Sequence, residues 1–557
     1  MKQIVLKREN LIPNIFSFPL LALLTALLLL VSCKKEKDDP APPPPDPTYH
    51  LEVSLASIQS PASAGTNTNV NIDANADWRA SLPAGTDWIE LNKTSGTGSD
   101  AISVKVSKDN NSGAKRSAKV TVALVNGKAP SKEITVEQDF VVLNPVTVTW
   151  KKMLGGNGND YGYSIIKAPD GGYLLSGRTT SNNGDITSTK GGIDMWVAKL
   201  DAAGNIVWQK SYGGNGDEYS VAAAATPDGG YVLTGYTLTN NNGDVGQNHG
   251  NTDFWVLKIN GTGTLLWQKT LGGTGDDRPA AVTTTTEGRI GVAGYTSSTN
   301  GDVGSNHGLE DMWVMLLDNG NGNFLWKKTF GGTGSDAARA LAPAPGGGLY
   351  VGGITASNNS GDVEASKGST DFWVAQMDRN LSIVWKKNFG GTNDDNLNAL
   401  AVGPDNTLVA VGSTKSNNTG DVGPATGSED MWIIKMNATT GALLSQKVLG
   451  GNAIDVAKGV LVRPNGNIVV AGYTYSNNNG DVEANHGAGD FWIIGLNSNG
   501  SVSWKKALGG DNEDLASAIA AGDGGFAVAG STMSKENGDV GANRGNSDIW
   551  VVKLKDE

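Results

Sequence analysis

Cysteine is almost absent: Cys33 is the single copy in 557 residues. No disulfide framework can form within one chain, so packing and hydrogen bonds must hold the fold. Histidine is nearly as scarce, with four copies and no pair at metal-binding spacing. Positive charge is in deficit, 44 Lys and Arg against 56 Asp and Glu, a formal charge of −12. A surface of that sign repels phosphate backbones and argues against nucleic acid as a partner. Nucleophile motifs and phosphate-cradling glycine loops are missing as well. What the chain has in excess is glycine, 76 residues. That is about twice the usual ~7%. Without a collagen period, it points to many tight turns between short strands.

The N terminus carries Lys2, Lys7 and Arg8 and then an apolar run ending LLALLTALLLLVSC. Such a run reads as a cleaved signal peptide or a single membrane span. Its last four residues, Leu30, Val31, Ser32 and Cys33, resemble the lipobox of bacterial lipoproteins. The resemblance implies cleavage after residue 32 and lipidation of the Cys33 thiol, with several acyl chains for stable anchoring. Cleavage would remove three positive charges and one negative, leaving a more acidic chain. The KKEKDD that follows Cys33 resembles the export signal of Bacteroidota surface lipoproteins, and the proline run behind it suits an extended spacer over 33–49. The implied location is the outer membrane, lipid-anchored and exposed on the cell surface.

Residues 50–140 alternate short strand-like pieces, among them HLEVSLAS, TNVNIDA, AISVKVSK and AKVTVALV, with turn-rich segments. The segment DWIELNKTSGTG and the closing ITVEQ resemble the BACON domain, an Ig-like β-sandwich whose name implies carbohydrate binding. Trp78 and Trp88 are expected in the core of so small a sandwich.

From Val146 the chain repeats. VTWKKMLGG returns as VWQKSYGG, LWQKTLGG, LWKKTFGG, VWKKNFGG, LSQKVLGG and SWKKALGG. The anchors are Trp150, Trp208, Trp267, Trp326, Trp385, Ser445 and Trp504, spaced 58 to 60 residues apart. Each repeat holds four strand-like pieces, the pattern of one propeller blade. The chain opens on a lone W-K-K strand and ends after a third strand without a fourth. Residues 146–154 should therefore complete the last blade and remove the exposed edges. The expected fold is all-β: a BACON-like Ig-type sandwich, then a seven-bladed propeller over 141–557 with one-plus-three strand closure. The run AKLDAAGNIVWQK resembles the tryptophan-docking repeat of quinoprotein dehydrogenase-like propellers. Members with a redox cofactor usually have eight blades and a vicinal disulfide, which this chain lacks, so no redox cofactor is expected.

The stretch NNNGDVGQNHGNTDFW, residues 240–255, recurs in variant form in all seven repeats. In a propeller it falls between strands b and c, so all copies ring one face with the d-to-a loops. Three acids per repeat gather there: the G-D set Asp185, Asp244, Asp302, Asp362, Asp421, Asp481 and Asp539; the d-to-a set Asp160, Glu218, Asp277, Asp336, Asp395, Asp455 and Asp514; and the acids before the c-strand tryptophans, Asp194, Asp253, Asp311, Asp371, Asp430, Asp490 and Asp548. Three readings stand. Asp, Asn and Gly are turn formers. Clustered carboxylates and amides are also hard ligands for calcium, although D-x-D-x-D-G spacing is absent. The same groups suit sugar hydroxyls. The c-strand tryptophans are expected between blades. Tyr161, Tyr219 and Tyr236 depart from blade symmetry and are ligand-binding candidates, as are His249, His307 and His486, which share one loop position in three blades.

These features lead to the expectation of a monomeric, non-catalytic surface protein that binds a polysaccharide through its long-loop face. A scaffold holding another envelope protein is the second reading. A propeller glycoside hydrolase of endoglucanase type is the third, since so many acids leave a catalytic pair open.

Overall fold

The computed structural model describes residues 48–62, 65–108, 110, 115–139 and 146–556. Residues 1–32, the lipobox residues Leu30, Val31, Ser32 and Cys33, and the linker up to residue 47 lie outside the described residues. By its contacts the chain divides into two compact units, the second of which holds Glu137–Glu557 together with the short segments Gln59–Thr66 and Val106–Ser117.

The N-terminal domain is a sandwich of two sheets. One orders Leu51–Val53, Asn67–Ala74, Asp100–Val106 and Ile89–Leu91; the other orders Ser57–Ser60, Lys132–Gln138, Arg116–Leu124, Asp77–Ser81 and Ser95–Thr97. Alternation of apolar and polar residues gives each strand one buried face. Val70, Ile72, Val120, Val122, Ile134 and Val136 form that interior together with Trp78 and Trp88. Trp78 also donates its indole N–H to the Gly98 carbonyl at 3.0 Å, so its polar atom is satisfied inside the core.

The C-terminal domain is a ring of seven four-stranded antiparallel sheets. In blade 1 the strands are Asp160–Lys167 (a), Tyr173–Thr179 (b), Asp194–Leu200 (c) and Ile206–Tyr212 (d). Blades 2 to 6 repeat the order within residues 218–271, 277–330, 336–389, 395–449 and 455–508. Each a strand packs against the a strands of both neighbours, which closes the ring. In blade 7, Asp514–Gly522, Gly525–Thr532 and Asp548–Asp556 supply a, b and c. The fourth strand is Val146–Leu154, which pairs antiparallel with the last strand from Val146 opposite Asp556 to Leu154 opposite Ile549. The one-plus-three closure is thus the observed topology.

The c strands are buried on both faces, which is why they read as continuous apolar runs. Trp196, Trp255, Trp313, Trp373, Trp432, Trp492 and Trp550 are all sealed from solvent and pack between adjacent blades. The d-strand tryptophans bind the blades differently. Trp150, Trp208, Trp267 and Trp385 donate their indole N–H to a carbonyl in the c-to-d turn of the next blade, at 3.0 to 3.1 Å. Ser445 breaks this series in blade 5.

Candidate functional site

The acidic loops form a sevenfold belt whose parts are committed to the fold. The d-to-a acids are fully buried. Asp160 is typical: it accepts from the Gly156 amide at 2.8 Å, the Thr179 hydroxyl at 2.5 Å and the Ser181 hydroxyl at 2.8 Å. Glu218 does the same with one more methylene, taking the Gly214 amide at 2.7 Å and Thr237 at 2.8 Å. The G-D acids lock loop to loop. The Asp185 amide donates to the Gly155 carbonyl at 3.0 Å, and its carboxylate accepts from the Gly155 amide at 3.1 Å. The amide half of this lock recurs at Asp244, Asp302, Asp362, Asp421, Asp481 and Asp539. The glycine before each aspartate has positive φ, 66° at Gly184, and any Cβ there would overlap the facing glycine carbonyl. This is the physical meaning of the repeated N-G-D.

The third set of acids, at the start of strand c, accepts the backbone N–H of the residue four positions earlier: Lys190, His249, His307, Lys367, Thr426, His486 and Arg544. Any residue can supply that N–H, so the side chain at this position is free to vary. Lys190, Lys367 and Arg544 reach the G-D acid of the following blade, Asp244, Asp421 and Asp185. The three histidines instead turn Nδ1 onto their own capped acids, at 3.0 Å for His249–Asp253 and 2.8 Å for both His307–Asp311 and His486–Asp490. They sit in different blades and meet no common point. Among the described residues no group of three or more His, Cys, Asp or Glu is arranged to hold a metal ion. The G-D acids, singled out as calcium candidates, thus bond the loop backbone, and the three histidines, singled out as ligand candidates, each bond the acid of their own loop.

One feature of the belt is electrostatically costly. In all seven c-strand acids the Oδ1 oxygen is buried without a donor among the described residues. It faces the d-to-a acid of the next blade across the first glycine of the G-G pair, where a Cβ would come within 3.0 Å of an oxygen of each acid. Burial pushes all seven c-strand carboxyls above the usual range. The facing acid adds to the shift for pairs such as Asp194 with Glu218 and Asp311 with Asp336.

Inside the belt lies a second ring with no such symmetry. Each a strand carries a β-bulge at the third residue after its acid, seen as a register shift against strand b. A bulge leaves one residue outside the ladder and re-aims its side chain. The seven bulge residues are Tyr163, Val221, Ala280, Arg339, Asn398, Lys458 and Ser517. Six of the seven, all but Ala280, line two adjoining cavities at the loop-face end of the central channel, of about 420 and about 480 Å³, which share Asn398 and Lys458.

Around the first cavity stand Tyr163, Arg178, Tyr219 and Tyr236. Arg178 lies over the rings of Tyr161 at 4.6 Å and Tyr219 at 5.0 Å, and Tyr219 stacks on Tyr236 at 4.6 Å. Arg278 covers the Tyr236 ring at 5.0 Å. Desolvation pushes the Tyr163 hydroxyl up to about 12. Across the second cavity are Arg339, Glu429, Lys458, Tyr473 and Tyr475. Arg339 is open to channel water yet ringed by protein atoms, and that surrounding lowers its pKa from the usual value. Desolvation lowers Lys458 too, and the Arg339 charge adds to it. The structure therefore brings Tyr161, Tyr219 and Tyr236 together at one site. Sequence reasoning missed Arg178, Arg278, Arg339 and Lys458, although the repeats differ most where these residues stand.

The sandwich has a wide depression of about 510 Å³ lined by Glu52, Val53, Ser54, Asn71, Ile72, Asp73, Ser99 and Asp100. It has no aromatic wall, because both sandwich tryptophans are buried.

The geometry defines an all-β chain: a small sandwich and, after it in sequence, a seven-bladed propeller with an asymmetric channel mouth. Residues 77–139 match the BACON family model, described as "Putative binding domain, N-terminal". Over 407 residues the chain is 22% identical to the regulatory protein FlaEY of Caulobacter vibrioides, an alignment covering 57% of this chain and 42% of that one. The chain thus spans less than half the length of this curated relative. Among solved structures, quinohemoprotein alcohol dehydrogenase from Comamonas testosteroni is similar over 74% of this chain and 77% of its own, at 11% identity and TM-score 0.40. The WD40 propeller domain of Doa1 is similar over 74% of this chain and 97% of its own, at 12% identity and TM-score 0.40. A xyloglucanase of Bacteroides ovatus, solved with a heptasaccharide, is similar over 22% of this chain and 30% of its own, at 23% identity and TM-score 0.17. The seven-sheet ring stands on this chain's own strand pairing, independent of those scores.

Proposed function

We propose that this protein is a non-catalytic binding protein that takes a saccharide chain at the loop-face mouth of the propeller channel. The observation that carries the reading is the bulge ring. Seven structurally equivalent positions hold seven different residues, beside a tyrosine–arginine stack, inside a belt whose acids repeat in every blade. A fold needs its repeats alike; a ligand without sevenfold symmetry needs them different. Tyrosine rings and hydroxyls, amides and guanidinium groups are the groups that sugar hydroxyls and ring faces require.

The site does not look built for hydrolysis. Glycoside cleavage uses two carboxyls flanking one bond, whereas the two cavities are lined by a single carboxylate, Glu429. The sandwich, with its tryptophans buried, serves in this reading as a spacer, and the lipobox Cys33 tethers the protein to the outer membrane with the channel mouth free for ligand.

A glycan-array screen with added calcium and again with chelator tests the reading. Binding insensitive to chelator, and lost in Tyr219→Ala, is expected. Silence in both conditions would overturn it and turn the search to a protein partner.

A further inference from the structure

The channel cations stand apart from the ion-paired lysines of the ring, such as Lys199 with Asp170, Lys258 with Asp228 and Lys505 with Asp481. Arg178, Arg339 and Lys458 form no ion pair among the described residues. Arg178 rests on tyrosine rings; Arg339 and Lys458 stand on blades 4 and 6 and line the same cavity, where the Arg339 charge acts on Lys458. No carboxylate forms an ion pair with either cation among the described residues: Glu429 acts on Lys458 and Glu310 on Arg339 only at longer range. Glu429 accepts from the Ser413 hydroxyl at 2.5 Å, and Glu513 from the Tyr475 hydroxyl at 2.8 Å. Two like charges lining one cavity without an ion-pair partner raise the energy of the empty channel. An anion placed between them removes that cost, and removes it most where water is already displaced.

Resting on the saccharide reading above, we propose that the channel mouth recognises an acidic saccharide, with Arg339 and Lys458 holding its anionic group and Arg178 with its tyrosines holding the adjoining sugar. The anionic group is a carboxylate of a uronic acid unit or a sulfate ester, both of which present oxygen atoms to a guanidinium fork. The two cations stand on bulges, whose backbone departs from the ladder, so their aim is set by the fold. The protein's overall negative charge repels polyanions. Binding of one therefore requires a local site and not a general attraction.

Isothermal titration calorimetry on the purified protein separates the parts of this proposal. The probes are polygalacturonate against its methyl ester, dextran sulfate against dextran, and poly-L-glutamate. The expected result is binding of a free acid polymer at least about tenfold tighter than of its neutral counterpart. Arg339→Gln with Lys458→Gln should weaken that binding by a further tenfold or more, while Arg379→Gln, on the outer surface, leaves it unchanged. Preference for dextran sulfate over polygalacturonate assigns the anion as a sulfate ester. Equal binding of charged and neutral partners, unaltered by the double variant, overturns the anion inference and leaves the saccharide reading standing. Poly-L-glutamate binding as tightly as the acid polysaccharide overturns the saccharide part. Binding of none of the five polymers overturns both. The paired polymers on the unaltered protein decide the question even if the double variant misfolds.

Discussion

The loop face holds two concentric rings made from the same repeat and treated in opposite ways. In the outer ring three carboxylates per blade recur seven times and each fastens loop backbone, although one oxygen of every c-strand acid lacks a donor among the described residues. In the inner ring, one residue per blade has been lifted out of the ladder and no two are alike. The difference teaches how to read a symmetric protein. What recurs in every blade holds blades together, and what differs at an equivalent position inside the cavities, where the backbone is not the fastener, is available for a ligand.

Several experiments would break or sharpen that contrast. Removing residues 146–154 takes the fourth strand from blade 7 and exposes both its edge and the blade interior. Calorimetry should show Tm lowered by ~10 °C or more; an unchanged melt would mean that the ring closes without this strand. Among single substitutions, Asp336→Ala should be the most damaging. It leaves the Gly332 amide and the hydroxyls of Thr355 and Ser357 without their acceptor. The expected loss in chemical denaturation is roughly 3 kcal/mol, and a loss under about 0.5 kcal/mol would remove the outer ring from the account of stability.

Acidity probes the same ring with the sign reversed from common experience. Unfolded, the c-strand acids titrate near 3.8; folded, they titrate higher, at about 6 for Asp548, and Asp395 behind Asp371 also reaches about 6. Between these values the folded chain binds protons that the unfolded chain has released, so stability falls as pH rises through the window. A proton on one acid of a facing pair also supplies the donor that the orphaned oxygen lacks. Lowering pH from 7 to 5 should raise Tm by roughly 5 °C. Below about 3.8 the trend reverses, because Asp170 and Asp405 have lowered pKa values and lose their stabilising hydrogen bonds there. A monotonic fall from pH 7 downward would contradict the paired-acid geometry. The smallest effect on stability is expected from the inner ring: Arg178→Gln and Lys458→Gln should shift the unfolding free energy by about 0.5 kcal/mol or less while altering ligand titrations.

Much of the fold was legible because the 58- to 60-residue period, the W-x-K anchor and the phase of the two chain ends are properties of the string itself. The belt was legible as acidic, but not as fastened. His249 and Lys190 occupy equivalent positions and look chemically purposeful, yet the fold asks of that position only a backbone N–H. Tyr161, Tyr219 and Tyr236 could be noticed as departures from symmetry. Arg339 and Lys458 could not be placed so readily, since a bulge shifts a residue from the expected alternation and strand periodicity assigns it to the wrong face. Aligning the seven repeats at the d-to-a acid and asking where identity fails would have found them.

The strand Val146–Leu154 joins the ring to everything that precedes it in the chain. It runs from the tight-turn face at Val146 to the loop face at Leu154, zipped along its length to Asp548–Asp556. A ligand held at the channel mouth and a tether on the N-terminal side would pull on this strand from opposite ends. The load then runs along the strand, and its rungs resist together in shear and are not peeled one after another. Mechanical toughness of the tethered molecule would accordingly reside in the same nine residues that close its ring.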